Sequence, residues 1–197
     1  MAERYDYTHA ERKERILKIC ISVGIWVVSV VAVIALAWLL LRVSIEKTTV
    51  VDASMEPTLA EGDKIIIDTL TYRLRAPKRN EIIVFRQGDS EHSFYNIKRV
   101  IGLPGEKIRI SQGVVYINGT VMEEFANVDP MILPGLAHYE IELGEDEYFV
   151  LGDSRNNSED SRYATIGNVR RSEIVGRAWI RTNKFGFVNS LNKREEE

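Results

Sequence analysis

The chain has 197 residues, 45% apolar and 28% charged, with a net charge of −3 and a mean hydropathy of −0.16. The apolar share excludes a disordered chain, and the lack of a basic surplus excludes nucleic acid as the main partner. One cysteine, Cys20, excludes a disulfide framework, a Cys-based zinc cluster and a CxxC redox site.

In chain order, residues 1–18 form a charged stub with five basic and four acidic residues. Ile19 to Leu41 then run for 23 residues without a charge. As a helix this spans roughly 35 Å, enough to cross a hydrocarbon core of about 30 Å. Lys18 and Arg42 bracket the run, and Trp38 falls near one end, where an aromatic suits the interface. Ala35-Leu36-Ala37 imitates a signal-peptide cleavage site, but Trp38 to Leu41 continue the apolar run past it, so the segment reads as an uncleaved anchor. Five Lys and Arg precede the span, and only Arg42 and Lys47 follow closely. That asymmetry predicts a cytoplasmic N-terminus and an extracytoplasmic remainder.

Residues 42–190 are expected to form one mostly β domain, with 191–197 a frayed tail. Apolar and β-branched runs predict strands at 64–67, 81–85, 107–110, 114–117, 139–143, 148–151 and 174–180. Asn118-Gly119 reads as a two-residue hairpin turn of the I′ kind, and Gly102-Leu103-Pro104-Gly105 as a further turn. Met131–Leu136 and Phe185–Val188 are apolar segments that either meet a bilayer surface or pack internally.

The chain lacks HExxH, GxSxG, Walker A and GxGxxG patterns. Arg155 spoils Asp153–Asn157 as a calcium loop. Of three histidines, His9 lies in the stub, leaving His92 and His138 as the candidates for a Ser-His-Asp triad. The other pairing is serine with lysine. Ser54 precedes a Pro57 turn, and Lys98 sits in an apolar strand, where alternation leaves open whether Lys98 or Arg99 points inward. A free lysine, with a pKa of about 10.4, is less than about 1% neutral at pH 8. A lysine base therefore requires desolvation, for which Ile97, Val100 and Ile101 are candidate walls.

Four segments in order, behind an N-terminal anchor, resemble the bacterial type I signal peptidases of the leader peptidase family. They are Ser54–Leu59, Gly62–Ile66, Lys98–Glu106 and Gly152–Arg162. The resemblance implies a membrane-tethered domain of coiled antiparallel β-sheets with no metal or cofactor. It implies Ser54 as nucleophile, Lys98 as general base and the Ser54 backbone N–H as oxyanion donor. It further implies that Ser158 orients the lysine amine, that Asp160 and Arg162 form a supporting charged pair, and that Asp153 lies near the site. The implied substrates are secreted preproteins, cut after small-residue Ala-X-Ala sites to remove their signal peptides. The bilayer is then a partner, the secretion translocon a further candidate, and the plasma membrane the location.

Two positions depart from the pattern. Asp52 stands where many such proteins carry Ser or Gly; an ionised Asp only accepts hydrogen bonds, so either the oxyanion hole rests on backbone alone or Asp52 points away. Asn96 stands where Tyr or Phe is frequent, which alters the substrate pocket. Two rival readings remain. A self-cleaving repressor with the same dyad would need a DNA-binding headpiece that the stub cannot supply. An anchored module without catalysis would be favoured by loss of Ser54 or Lys98, and both are present.

Overall fold

A computed structural model describes residues 3–87, 95–123 and 128–188. Two compact units result, Met1–Ser44 and Ile45–Glu197. The tail at 191–197 and His92 lie outside the described residues, as do the side chains of His9, Arg42 and Leu39–Leu41.

The first unit is one helix, α1 (Glu3–Ser44), of 42 residues. Helix therefore continues on both sides of the apolar run. Between Glu14 and Trp38 the mean hydropathy reaches 2.8 and no residue is buried within the protein. A helix that is apolar all round gains nothing from water and matches a hydrocarbon environment. The hydroxyl of Ser29, a polar group within the run, donates back to the Ile25 carbonyl at 2.9 Å, which satisfies it without solvent.

The second unit is mostly β. Its strands are β1 (Ile45–Thr49), β2 (Lys64–Asp68), β3 (Ile82–Phe85), β4 (Asn96–Gly102), β5 (Lys107–Ser111), β6 (Val114–Ile117), β7 (Thr120–Val121), β8 (Ile141–Glu142), β9 (Glu147–Leu151), β10 (Val169–Arg170), β11 (Ile174–Arg181) and β12 (Gly186–Phe187). Among the described residues they form two antiparallel sheets. The larger runs β1-β2-β11-β3-β4-β9-β10, with β12 added beside β11; the smaller runs β7-β6-β5-β8. Register shifts interrupt the β11 pairings with β2 and β3, and the β4 pairing with β9. Such bulges bend a strand and increase its twist.

Burial follows position in the sheet. In β5 exposed and buried residues alternate, so one face meets solvent. In β3 all four residues are buried, because both faces are covered. Ile82 and Val84 join a core with Met55, Leu59, Ile65 and Ile67. Ile83 and Phe85 join a second with Val100, Tyr148 and Val150. A third core, including Ile101, Ile108, Val115, Phe149 and Leu151, fills the space where the two sheets meet.

The Asn118-Gly119 turn has the expected backbone, with φ of 50° and 78°. A second turn of the same hand, at Gln112-Gly113 (φ 51° and 78°), joins β5 to β6. The strand expected at 139–143 is shorter. Pro134 and Gly135 lead into a 3-10 turn (Gly135–His138), and only Ile141–Glu142 pair as a strand, against β5. The two apolar segments divide internally. Met131 and Val188 are buried, while Ile132, Leu133, Leu136, Phe185 and Phe187 are exposed.

Candidate active site

Ser54 lies in the connection between β1 and β2. The loop is fastened at its base, where the Val50 N–H bonds the Asp63 carbonyl and the Gly62 N–H bonds the Val50 carbonyl. Met55 and Leu59, both fully buried, insert into the first core, and the Leu59 N–H closes a turn onto the Met55 carbonyl at 2.9 Å. The Glu56–Pro57 peptide is cis. Apolar anchors on both sides of the turn thus fix the backbone that carries Ser54.

Lys98 arrives from the centre of the large sheet. It pairs in register with Ile83 on β3, and its side chain is only 2% exposed. Its Nζ donates to Ser54 Oγ at 2.6 Å. Burial pushes the Lys98 amine below the ordinary lysine range, while the charges of Asp52, Asp160 and Glu159 act in the opposite direction. The open question of which residue of the Lys98-Arg99 pair is inward has a simple outcome: both are buried, on opposite faces of β4.

Asp52 does not point away. Its Oδ1 accepts from the Ser54 N–H at 2.9 Å and from the Ser54 hydroxyl at 2.5 Å, and its Oδ2 is 3.8 Å from Lys98 Nζ. The backbone donor expected to meet an oxyanion is therefore engaged by a carboxylate. Desolvation raises the Asp52 pKa, but the Ser54 bonds and the Lys98 charge outweigh it and hold the carboxyl below its usual value.

The segment after β9 closes the site from the other side. The Ser154 N–H donates to the Ser54 carbonyl at 3.0 Å. Arg162 clasps Asp160 through two N–H groups at 2.8 and 2.9 Å, and the Gly152 N–H donates to the same carboxylate. Asp160 and Arg162 are thus a buried ion pair. Asp153 has a partner that the sequence reading missed. Arg99 reaches its two oxygens at 2.7 and 2.5 Å, and the Thr58 hydroxyl donates to it at 2.5 Å. This cluster ties the Ser54 loop, β4 and the 152–163 segment together.

Ser158 differs from expectation. Its hydroxyl is buried beside Gly152 and has no hydrogen-bond partner among the described residues, so the anticipated bond to Lys98 is not formed. The lysine amine is turned instead toward Ser54 and Asp52. Gly152 lies under this contact. A Cβ there would fall 2.2 Å from Ser158 Oγ and 2.5 Å from the Ser54 carbonyl oxygen, so only glycine fits. A groove of about 470 Å³ opens over the site, with Asp52, Ser54, Asn156, Ser158, Glu159 and Tyr163 in its walls. No described residue of those walls is a histidine, and His138 packs edge-on against Tyr139. No cluster of metal-ligating side chains occurs among the described residues.

A family described as signal peptidase, peptidase S26, matches residues 23–182. The chain belongs to the S26 signal peptidase family. Its relatives include a probable signal peptidase I-2 from a Synechocystis species, 45% identical over 133 residues, which is 66% of this chain and 59% of that protein. A signal peptidase I from Leptolyngbya laminosa is 40% identical over 71% of this chain and 68% of its own length. One from Bacillus amyloliquefaciens is 31% identical over 85% and 90%. A crystal structure of a signal peptidase I from Enterococcus faecalis is 29% identical, with a TM-score of 0.42, over 52% of this chain and 97% of that one. The S26 match spans part of α1 and all of the segments that meet at Ser54.

Proposed function

We propose that the protein is a membrane-anchored serine endopeptidase that removes N-terminal signal peptides from secreted preproteins, with Ser54 as nucleophile and Lys98 as general base. The observation that carries this reading is the 2.6 Å contact between a buried lysine amine and a serine hydroxyl at the floor of an open groove. Family membership supports the substrate class, and cleavage after small-residue Ala-X-Ala sites is what the resemblance to signal peptidases implies. The excess of basic residues before α1's apolar run supports a cytoplasmic N-terminus and a catalytic unit outside the plasma membrane. The anchor raises the effective concentration of enzyme near a substrate whose signal peptide is still in the bilayer. The secretion translocon is a partner consistent with that location.

In the reaction, Ser54 Oγ attacks the scissile carbonyl carbon while Lys98 takes the hydroxyl proton. The carbon–nitrogen bond then breaks, Lys98 gives its proton to the leaving amine, and the signal peptide remains as an ester on Ser54. Water adds to that ester, Lys98 again takes a proton, and the ester oxygen leaves as the restored serine hydroxyl. Asp160 with Arg162, and Asp153 with Arg99, hold the loop and strand that carry the dyad. Ser158, with its buried hydroxyl unpartnered among the described residues, lines the same groove as Ser54.

The test incubates the full chain in detergent or vesicles with a preprotein bearing an Ala-X-Ala site, reading the new N-terminus by mass spectrometry. Cleavage after that site, lost in Ser54→Ala and Lys98→Ala, is the expected result. Cleavage that persists in Lys98→Ala contradicts the lysine base, and a folded wild type that cuts no preprotein favours an anchored module without catalysis.

A further inference from the structure

The carboxylate of Asp52 touches all three groups that acyl transfer needs. Its Oδ1 holds the Ser54 N–H, the donor through which a nucleophile's own backbone meets a developing oxyanion. The same oxygen accepts a hydrogen bond from the Ser54 hydroxyl at 2.5 Å, so the hydroxyl proton points away from Lys98. The other oxygen is 3.8 Å from the lysine amine, an anion that favours the ammonium over the neutral base. A negatively charged oxygen on the nucleophile's N–H has the charge and the place of a tetrahedral oxyanion.

Asp52 also borders solvent, with no described residue packed over it on the groove side. Its side chain is 56% exposed at the wall of the groove, whereas Lys98 is 2% exposed and fixed in the sheet. The other anions facing Lys98 are Asp160 and Glu159. Asp160 is clasped by Arg162, and Glu159 accepts from the Thr165 hydroxyl. Rotation of Asp52 about its own side-chain bonds therefore changes the site at one stroke. It frees the N–H, releases the hydroxyl proton and withdraws a counter-ion from Lys98.

We propose that Asp52 is a positioning residue that locks Ser54 and Lys98 in a resting arrangement, and that the acyl carbonyl of an incoming peptide must displace its carboxylate. The inference rests on the serine–lysine reading above. Substrate entry and base activation become one event: the carbonyl oxygen replaces the carboxylate on the Ser54 N–H, and Lys98 loses the anion that kept it protonated.

The experiment compares wild type, Asp52→Asn and Asp52→Gly as full chains in detergent, over pH 5 to 10. Two readouts are used, preprotein cleavage and covalent labelling of Ser54 by a fluorophosphonate, which needs no preprotein recognition. Because active Lys98 is the neutral form, the rate rises with pH through its ionisation. Loss of the Asp52 charge lowers that ionisation, so the acid limb of kcat/KM moves to lower pH in both variants. Labelling near pH 7 is expected to rise several-fold in both. An unmoved acid limb with unchanged or slower labelling overturns the proposal, because Asp52 then either plays no part or assists the reaction. Wild type that labels at Ser54 but cuts no preprotein sinks the signal-peptidase reading alone, and labelling of the variants still decides the role of Asp52.

Discussion

Two faces of one strand carry adjacent buried cations with opposite fates. On one face of β4, Arg99 gives two charge-assisted bonds to Asp153 and a third, at 2.8 Å, to the Asn80 carbonyl. On the other, Lys98 has a neutral hydroxyl at 2.6 Å and a carboxylate no closer than 3.8 Å, carried by a half-exposed side chain. Burial alone does not make a cation reactive. A guanidinium cannot release its proton under these conditions, and its fork suits a fixed carboxylate, so Arg99 ties segments together. An ammonium that is buried with no carboxylate in direct hydrogen-bond contact is the group whose proton is loosened.

The comparison breaks most sharply at its reactive end. Lys98→Met is expected to lower cleavage by roughly 10²- to 10⁴-fold, the range over which a general base contributes, with secondary structure by circular dichroism unchanged. At the structural end, Asp153→Ala leaves Arg99 buried without its carboxylate. Denaturant unfolding should report a loss of about 3–5 kcal/mol, typical for breaking a buried ion pair from one side. Gly152→Ala sharpens the boundary between the two, since its methyl group has to displace the Ser54 backbone or the Ser158 hydroxyl. A loss of about 1–3 kcal/mol is expected for such overpacking, together with slower Ser54 labelling.

The smallest effect is a pH dependence with a definite sign. Between the lowered folded-state pKa of Lys98 and its ordinary value of 10.5, the unfolded chain binds the extra proton, so stability rises with pH across that window. The relative contribution of Lys98 is fully present above the ordinary value and is lost as pH falls through the folded one. Lys98→Met lacks this slope, and unfolding midpoints measured on both proteins across alkaline pH test it.

How much of this was legible beforehand depended on whether a residue's role is local. The apolar run of α1, the alternation of β5 and the Asn118-Gly119 turn follow from nearest neighbours along the chain, and the structure reproduces them. The Ser54 and Lys98 segments were recognisable from motif order, and they meet in space. β1 was not legible. Its sequence, IEKTT, carries no apolar face, and its strand form comes from pairing with β2 across the Ser54 loop. Arg99 was ambiguous because alternation assumes one wet face, and β4, flanked by β3 and β9, has none. The strand expected at 139–143 was cut short by the Pro134-Gly135 turn, whose 3-10 geometry depends on backbone contact with Arg162. The directions of Asp52 and Ser158 depend on which partner lies nearer the lysine amine, and spacing along the chain holds no such information.

The central claim is that Lys98 is a desolvated amine poised beside Ser54, and direct titration of its side chain tests this most closely. Isotope-edited NMR of the labelled lysine methylene next to Nζ, assigned by its absence in Lys98→Met, gives the ionisation in the full-length protein. Titration clearly below the ordinary lysine value, coincident with the acid limb of preprotein cleavage, is the result predicted. Titration at or above the ordinary value would contradict it, and Arg99 and Lys98 would then be two structural cations on one strand.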